Sequence, residues 1–309
     1  MSGRTTANQQ TNQPTNKLTN KEQTMNKSIL VMGGTGLFGG FAARQLQEVG
    51  FQVRIMARDL EKVEAQFGED FELFAGDVTN LESLEQALAG CQGAHISVGG
   101  PADRTSAENV AALAPQLNLE HVTYVSGSTV CEENGWFPMT AQKLAAETAV
   151  SQCGVPYTIF CPTWPMEQLP RFVINGQATL VGDLQTPWHW FASADFGRMV
   201  ANAYQSEAAL EKRLTIHGPE PITMKAALER YCQAFHPEIE SVMVMPIDAA
   251  RSAAEATGNK MLGFFAELMA YFQKVGEPGD PAEANQILGA PTTTLDAWIE
   301  QQREIGEVK

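Results

Sequence analysis

One stretch near the start limits what this chain can become. Ser28-Ile29-Leu30-Val31-Met32 runs straight into Gly33-Gly34-Thr35-Gly36-Leu37-Phe38-Gly39. A short, almost wholly apolar run suits a strand buried on both faces of a parallel sheet. Beyond the glycines, Leu37, Phe38, Phe41, Ala42, Leu46 and Val49 recur at helical spacing, and Gly50 supplies a stop. A second apolar run over 51–57 follows, so strand, turn, helix and strand make one βαβ unit. The spacing Gly33-x-x-Gly36-x-x-Gly39 is a variant of G-x-G-x-x-G with the same physical demands. One glycine takes a tight turn, one lets backbone approach a pyrophosphate, and one lets helix pack closely on strand. The expected ligand is a dinucleotide, its pyrophosphate on a helix beginning near Gly36, with Thr35, Leu37 and Phe38 completing the cradle.

The alternation continues. Strands are expected over 71–74, 94–98, 121–125 and 157–160, with helices marked by Leu81, Leu84 and Leu88 and then over 107–113 and 141–151. This pattern predicts an α/β fold, a Rossmann-type doubly wound parallel sheet. After Pro162 the rhythm loosens into short strands near 178–181 and 214–216, helices over 193–205 and 223–235, and a mostly helical stretch over 249–275. The reading is a tail over 1–27, a nucleotide-binding domain over 28–162 and a smaller mixed C-terminal lobe over 163–309, with a return of the chain to the sheet left open. The tail is rich in Thr, Asn and Gln, which predicts disorder, and it lacks the apolar stretch of a signal peptide. It is read either as a natural extension or as sequence upstream of a start at Met25.

Composition narrows the partners. The net charge of −15 repels phosphate backbones and anionic membrane surfaces, and no apolar run approaches a membrane span. Five cysteines without a CxxC pair or a metal-ligand spacing to histidine point to a reducing cytoplasm and assign no metal.

The end of the second strand selects the cofactor. An acid there suits the ribose 2′-hydroxyl of NAD, and an Arg suits the 2′-phosphate of NADP. Arg58 falls at the expected strand end and favours NADP; if the strand runs one residue further, Asp59 becomes the NAD-type acid. Asp77 and Val78, after the third strand, are candidates for the adenine pocket, with capping of the next helix as the alternative for Asp77. Ser97 and Val98 should face the crevice at the carboxyl end of the sheet.

Taken together, 33–39, 53–59 and 75–78, with Lys143-Leu144-Ala145-Ala146-Glu147, 154–162 and 288–295, resemble the atypical short-chain dehydrogenase/reductases, specifically the NmrA-like NAD(P)H-binding group. The resemblance covers most of residues 28–300. It implies that Lys143 holds the nicotinamide ribose, that Ser128 or Ser126 is the serine at the end of the fifth strand, and that Pro162 lies in the nicotinamide-side loop. The family's catalytic Tyr position is Met139, which carries no exchangeable proton. Lys143 paired with Glu147 on a helix surface is the purely structural alternative.

Cys161 stands where the family often has Arg, which implies a neutral or apolar substrate. Trp136, Phe137 and the run 187–191 are candidates for a pocket wall or for core packing. His189 is the one histidine nominated as a substitute acid. The expected function is an NADP-dependent oxidoreductase acting on a small neutral or aromatic substrate, as a monomer or homodimer. The rival is a cofactor-sensing regulator that binds a protein partner. A sugar-nucleotide epimerase is weaker, since epimerases normally need the Tyr.

Overall fold

The computed structural model describes residues 27–306, so all but the last residue of the expected tail lies outside the described residues. The chain runs β1 (Ser28–Met32), α1 (Gly39–Glu48), β2 (Gln52–Ala57), α2 (Leu60–Phe67), β3 (Glu72–Ala75), α3 (Leu81–Leu88), β4 (Gly93–Ile96), α4 (Asp103–Leu113), β5 (His121–Val125), α5 (Pro138–Ser151) and β6 (Tyr157–Pro162). It continues through β7 (Val173–Ile174), β8 (Gln177–Val181), β9 (Trp188–Trp190), α6 (Ser193–Tyr204), β10 (Lys212–Ile216), β11 (Glu220–Ile222), α7 (Met224–Phe235), β12 (Met243–Met245), α8 (Ile247–Thr257), α9 (Lys260–Val275), α10 (Ala282–Leu288) and α11 (Leu295–Ile305).

Seven strands form one sheet in the order β10-β6-β5-β4-β1-β2-β3, every pair parallel. The order reverses between β1 and β4, the switch point where such sheets bind ligands. β1 is buried along its whole length and alternates between faces. Ile29 and Val31 pack into the layer made by α1, α6 and α10, while Leu30 and Met32 pack into the layer made by α3, α4 and α5. Each such side chain contributes about 1.5–3 kcal/mol by leaving water.

One expectation is corrected. The first helix begins at Gly39, not near Gly36, because Gly33–Phe38 is spent on turns. The chain does return to the sheet after residue 162, the possibility the sequence left open. Leu214 and Ile216 are almost fully buried as β10 pairs with β6, and α6 packs closely on α1. A Cβ at Gly197 would come 2.6 Å from the Phe41 carbonyl oxygen, so that helix contact depends on a glycine.

The remaining segments form a lobe around β7-β8-β12 and the β9–β11 pair. Its core holds Met166, Leu180, Trp190, Leu228, Tyr231, Leu268 and Trp298. The stretch after α10 is strapped to α6: buried Asp195 accepts from the Thr292 and Thr293 amides at 3.0 and 2.9 Å. Among the described residues no helix is long and apolar enough to cross a membrane.

Candidate functional site

The glycine turn and the end of β4 touch. Gly33 has φ +79°, and a Cβ there would lie 2.2 Å from the Ser97 carbonyl oxygen. Gly39 is equally confined, 2.4 Å from the Gly33 oxygen by the same measure. The Gly36 amide closes the turn on that oxygen at 2.9 Å. Thr35 and Gly36 are exposed, and Leu37 and Phe38 half-buried. Phe38 is the N-cap of α1 and gives it no side-chain cap, and the first turn carries no acid. That leaves the amide end of a helix open to an anion.

Across the crevice, the Ser97 hydroxyl is buried with no hydrogen-bond partner among the described residues, and Gly99 faces open space. A buried hydroxyl without a partner is costly unless a ligand satisfies it. The turn, the uncapped helix end and this hydroxyl fit a dinucleotide. Val98, half-buried, packs on the adjoining core.

β2 ends at Ala57, so Arg58 is the first residue beyond the strand and is exposed. Asp59 is committed elsewhere: as N-cap of α2 it accepts from the Lys62 amide at 3.2 Å. Asp77 does not cap the next helix, a role Asn80 fills. Its carboxylate accepts from the Thr79 amide and hydroxyl at 2.9 and 2.8 Å. Those hydrogen bonds, with desolvation opposing them and Arg58 adding a smaller pull, hold its pKa below the usual value. Val78 is half-buried, and its carbonyl accepts from Asn109 at 3.1 Å.

Lys143 does not pair with Glu147. Its ammonium meets Asp103 at 2.7 Å, donates to the Val125 carbonyl at 3.0 Å and lies 3.4 Å from the Tyr124 hydroxyl. Lys has three N–H donors; two are firmly used, and the third is loosely held. The structure thus brings a tyrosine to this lysine, from β5 rather than from α5. Tyr124 is fully buried and donates to Asp103 at 2.8 Å. Burial, then the Asp103 charge and this hydrogen bond, push its pKa up, the wrong direction for an acid working near neutrality. Met139 packs half-buried on the lobe core.

Ser126 donates to Glu147, which also pairs with Arg213 at 2.8 Å, so its hydroxyl is engaged. Ser128 is buried at the carboxyl edge, its amide donating to the Pro162 carbonyl at 3.0 Å.

Pro162 is the buried last residue of β6. Cys161 is fully buried, and burial raises its thiol pKa to about 12. The residue is part of the core and its thiol stays neutral there, so it brings no charge to the crevice. Trp188, Trp190 and Phe191 are also fully buried, and Phe137 stacks on Tyr271 at 4.3 Å, so these rings serve mainly as core. Trp136 is exposed beneath Lys274.

His189 is half-exposed beside the β6 loop. Its carbonyl accepts from the Thr163 hydroxyl at 2.5 Å, its Nδ1 meets Glu277 at 2.5 Å, and its ring stacks on His217 at 5.1 Å. Burial lowers the His217 pKa, with the nearby Glu277 charge opposing. The engagement of Lys143 by Asp103 and the grouping of His189, His217 and Glu277 escaped the sequence reading, because no local spacing signals either.

Comparisons with known proteins bear on the family, the fold and the cofactor. Residues 33–186 match the NAD(P)H-binding family. A (4-alkanoyl-5-oxo-2,5-dihydrofuran-3-yl)methyl phosphate reductase of Streptomyces griseus is 31% identical over 233 residues, covering 74% of this chain and 80% of its own length. The photosystem II assembly factor Ycf39 of Trieres chinensis is 31% identical over 144 residues, 43% of this chain and 44% of the factor. This match therefore spans less than half of the factor's length. The Citrobacter triphenylmethane reductase, solved with NADP(H), shares the fold with a TM-score of 0.71 at 18% identity, covering 89% of this chain and 99% of that one. The chain belongs to the NAD(P)H-binding family of atypical short-chain dehydrogenase/reductases.

Proposed function

We propose that this protein is an NADP(H)-dependent oxidoreductase of the NmrA-like type, acting in the cytoplasm on a small neutral or aromatic substrate. The observation that carries the cofactor preference is the end of β2. Arg58 stands exposed just past the strand while Asp59 is occupied as a helix cap. A guanidinium there holds a 2′-phosphate bidentately. The turn from Gly33 to Gly39, including Thr35, Gly36, Leu37 and Phe38, receives the pyrophosphate. Asp77 and Val78 border the adenine, and Ser97, Val98 and Pro162 line the crevice toward the nicotinamide. When bound, NADPH supplies a hydride. Lys143 offers its loosely held third N–H to the ribose, and Ser128 hydrogen-bonds substrate at the carboxyl edge.

The reductase relative from Streptomyces supports turnover. Met139, in place of an acidic hydroxyl, and the poor acidity of Tyr124 favour the second reading, an NADP(H)-sensing regulator that binds a protein partner. NADPH oxidation measured against a panel of carbonyls, quinones and enones separates them. Turnover with at least one acceptor class is expected. Tight NADPH binding with no turnover across the panel would replace the reductase reading with the sensor.

A further inference from the structure

We propose that His189, His217 and Glu277 form a binding site for a divalent transition-metal ion of the Zn2+ type. Each residue offers one ligand atom, and the three atoms lie within 4.8 Å of one another. They converge from three separate places: β9, the residue just after β10, and the loop after α9. Two imidazoles and one carboxylate are a set that borderline divalent ions take, leaving a coordination position open.

The surroundings look built to hold the three donors in place. The second Glu277 carboxylate oxygen accepts from the His189 amide at 2.6 Å, which fixes that side chain and leaves the other oxygen for an ion. The His189 carbonyl accepts from the Thr163 hydroxyl and from the Gly218 amide at 3.2 Å. A Cβ at Gly218 would lie 1.6 Å from the Trp190 carbonyl oxygen, so the backbone carrying His217 is pressed on β9. A Cβ at Gly279 would lie 2.8 Å from the Thr215 side chain, which holds the Glu277 loop on β10. Such outer contacts are what orient metal ligands.

The observation that points to a ligand is the His217 ring. The residue is 7% exposed, and its Nε2 has no hydrogen-bond partner among the described residues. The Glu277 side chain is likewise 7% exposed, whereas His189 keeps 33% of its side chain open, giving an ion a way in. Without metal, His189 Nδ1 and the Glu277 carboxylate meet directly at 2.5 Å. An ion with bonds of about 2.0–2.2 Å to both would take the place of the hydrogen between them. The ion would tie the lobe's α9–α10 connection to the sheet edge, one strand beyond Pro162 and Thr163.

The test uses the full chain, free of any affinity tag and stripped with chelator. Calorimetric titration with Zn2+ should give one ion per chain and raise the melting temperature, and Co2+ should give the visible absorption of a low-symmetry N/O site. His217→Asn and Glu277→Gln, each checked for folding by circular dichroism, should weaken Zn2+ binding by about 100-fold or more, since losing even an outer partner costs about 10–100-fold. His236→Asn, altering a half-buried histidine elsewhere, should leave binding intact. The absence of a one-to-one site at micromolar Zn2+, or binding that survives both substitutions, would overturn the proposal and leave these residues a hydrogen-bonded pair with a stacked neighbour.

Discussion

Replacing Lys143 by Met should destabilise the protein well before any effect on cofactor is considered. The substitution keeps an unbranched side chain, one atom shorter, and removes its charge. Lys143 and Asp103 are 17% and 9% exposed at their side chains and 2.7 Å apart. Removing one partner of a buried ion pair typically costs about 3–5 kcal/mol, because the other charge is left uncompensated. Here Asp103 keeps the Tyr124 hydroxyl at 2.8 Å and sits in the first turn of α4. A helix N-terminus favours a carboxylate by about 0.3–1 kcal/mol. The expected loss is therefore about 2–4 kcal/mol, allowing for these residual partners. At about 2–4 °C per kcal/mol for a domain approaching this size, calorimetry should see the melting temperature fall by several degrees or more. The cycle closed by Asp103→Asn and the double variant should show coupling above 1 kcal/mol or so. A loss below about 0.5 kcal/mol with additive single effects would refute the buried-pair reading.

Three further outcomes follow from the same structure. Burial pushes the pKa of His95 down to about 3 and that of His121 to about 4. Both are neutral in the fold and take a proton near pH 6.5 when unfolded, so stability is present above that pH and drains away as pH falls toward 4. At pH 5 the loss should be on the order of 4 kcal/mol for the pair, and urea melts showing no weakening between pH 7 and 5 would contradict it. Gly33→Ala forces a Cβ into a φ of +79° and against the Ser97 carbonyl. It should cost about 2–5 kcal/mol and weaken dinucleotide binding, whereas unchanged melting would mean the turn is not so confined. Tyr124→Phe should leave any NADPH-dependent turnover within about tenfold of the parent, far short of the loss of about 100-fold or more that removing a general acid brings. A larger fall would make Tyr124 the proton donor after all.

The parts of this account legible in the sequence are those governed by local rules. The strand, turn and helix around Gly33 follow from apolar periodicity and from the positive φ that only glycine takes cheaply. Arg58 and Asp59 could be placed to within one residue of the strand end, and β2 stops at Ala57, which leaves Arg58 first beyond it. The strand near 214–216 was readable, but its place beside β6 depends on pairing that no local pattern encodes.

β6 is buried on both faces through its last five residues, so no alternation marks which way Cys161 points. Lys143 illustrates the limit most clearly. Its spacing to Glu147 satisfies the helix-surface rule, yet Glu147 turns to Ser126 and Arg213, and Lys143 reaches Asp103 from another helix. Longer-range packing decided both, as it did for the histidines and Glu277.

In the function proposed above, the Gly33–Gly39 turn and Arg58 together select NADP(H). Calorimetric titration of the full chain with NADPH and NADH, repeated on Arg58→Glu, tests it most directly. Hydrogen bonds to a charged group contribute about 1.5–3 kcal/mol each, so NADPH should bind at least tenfold more tightly than NADH. The substitution should erase that preference without abolishing NADH binding. Equal affinities for the two nucleotides in the parent protein, or an unchanged NADPH affinity in Arg58→Glu, would contradict the account.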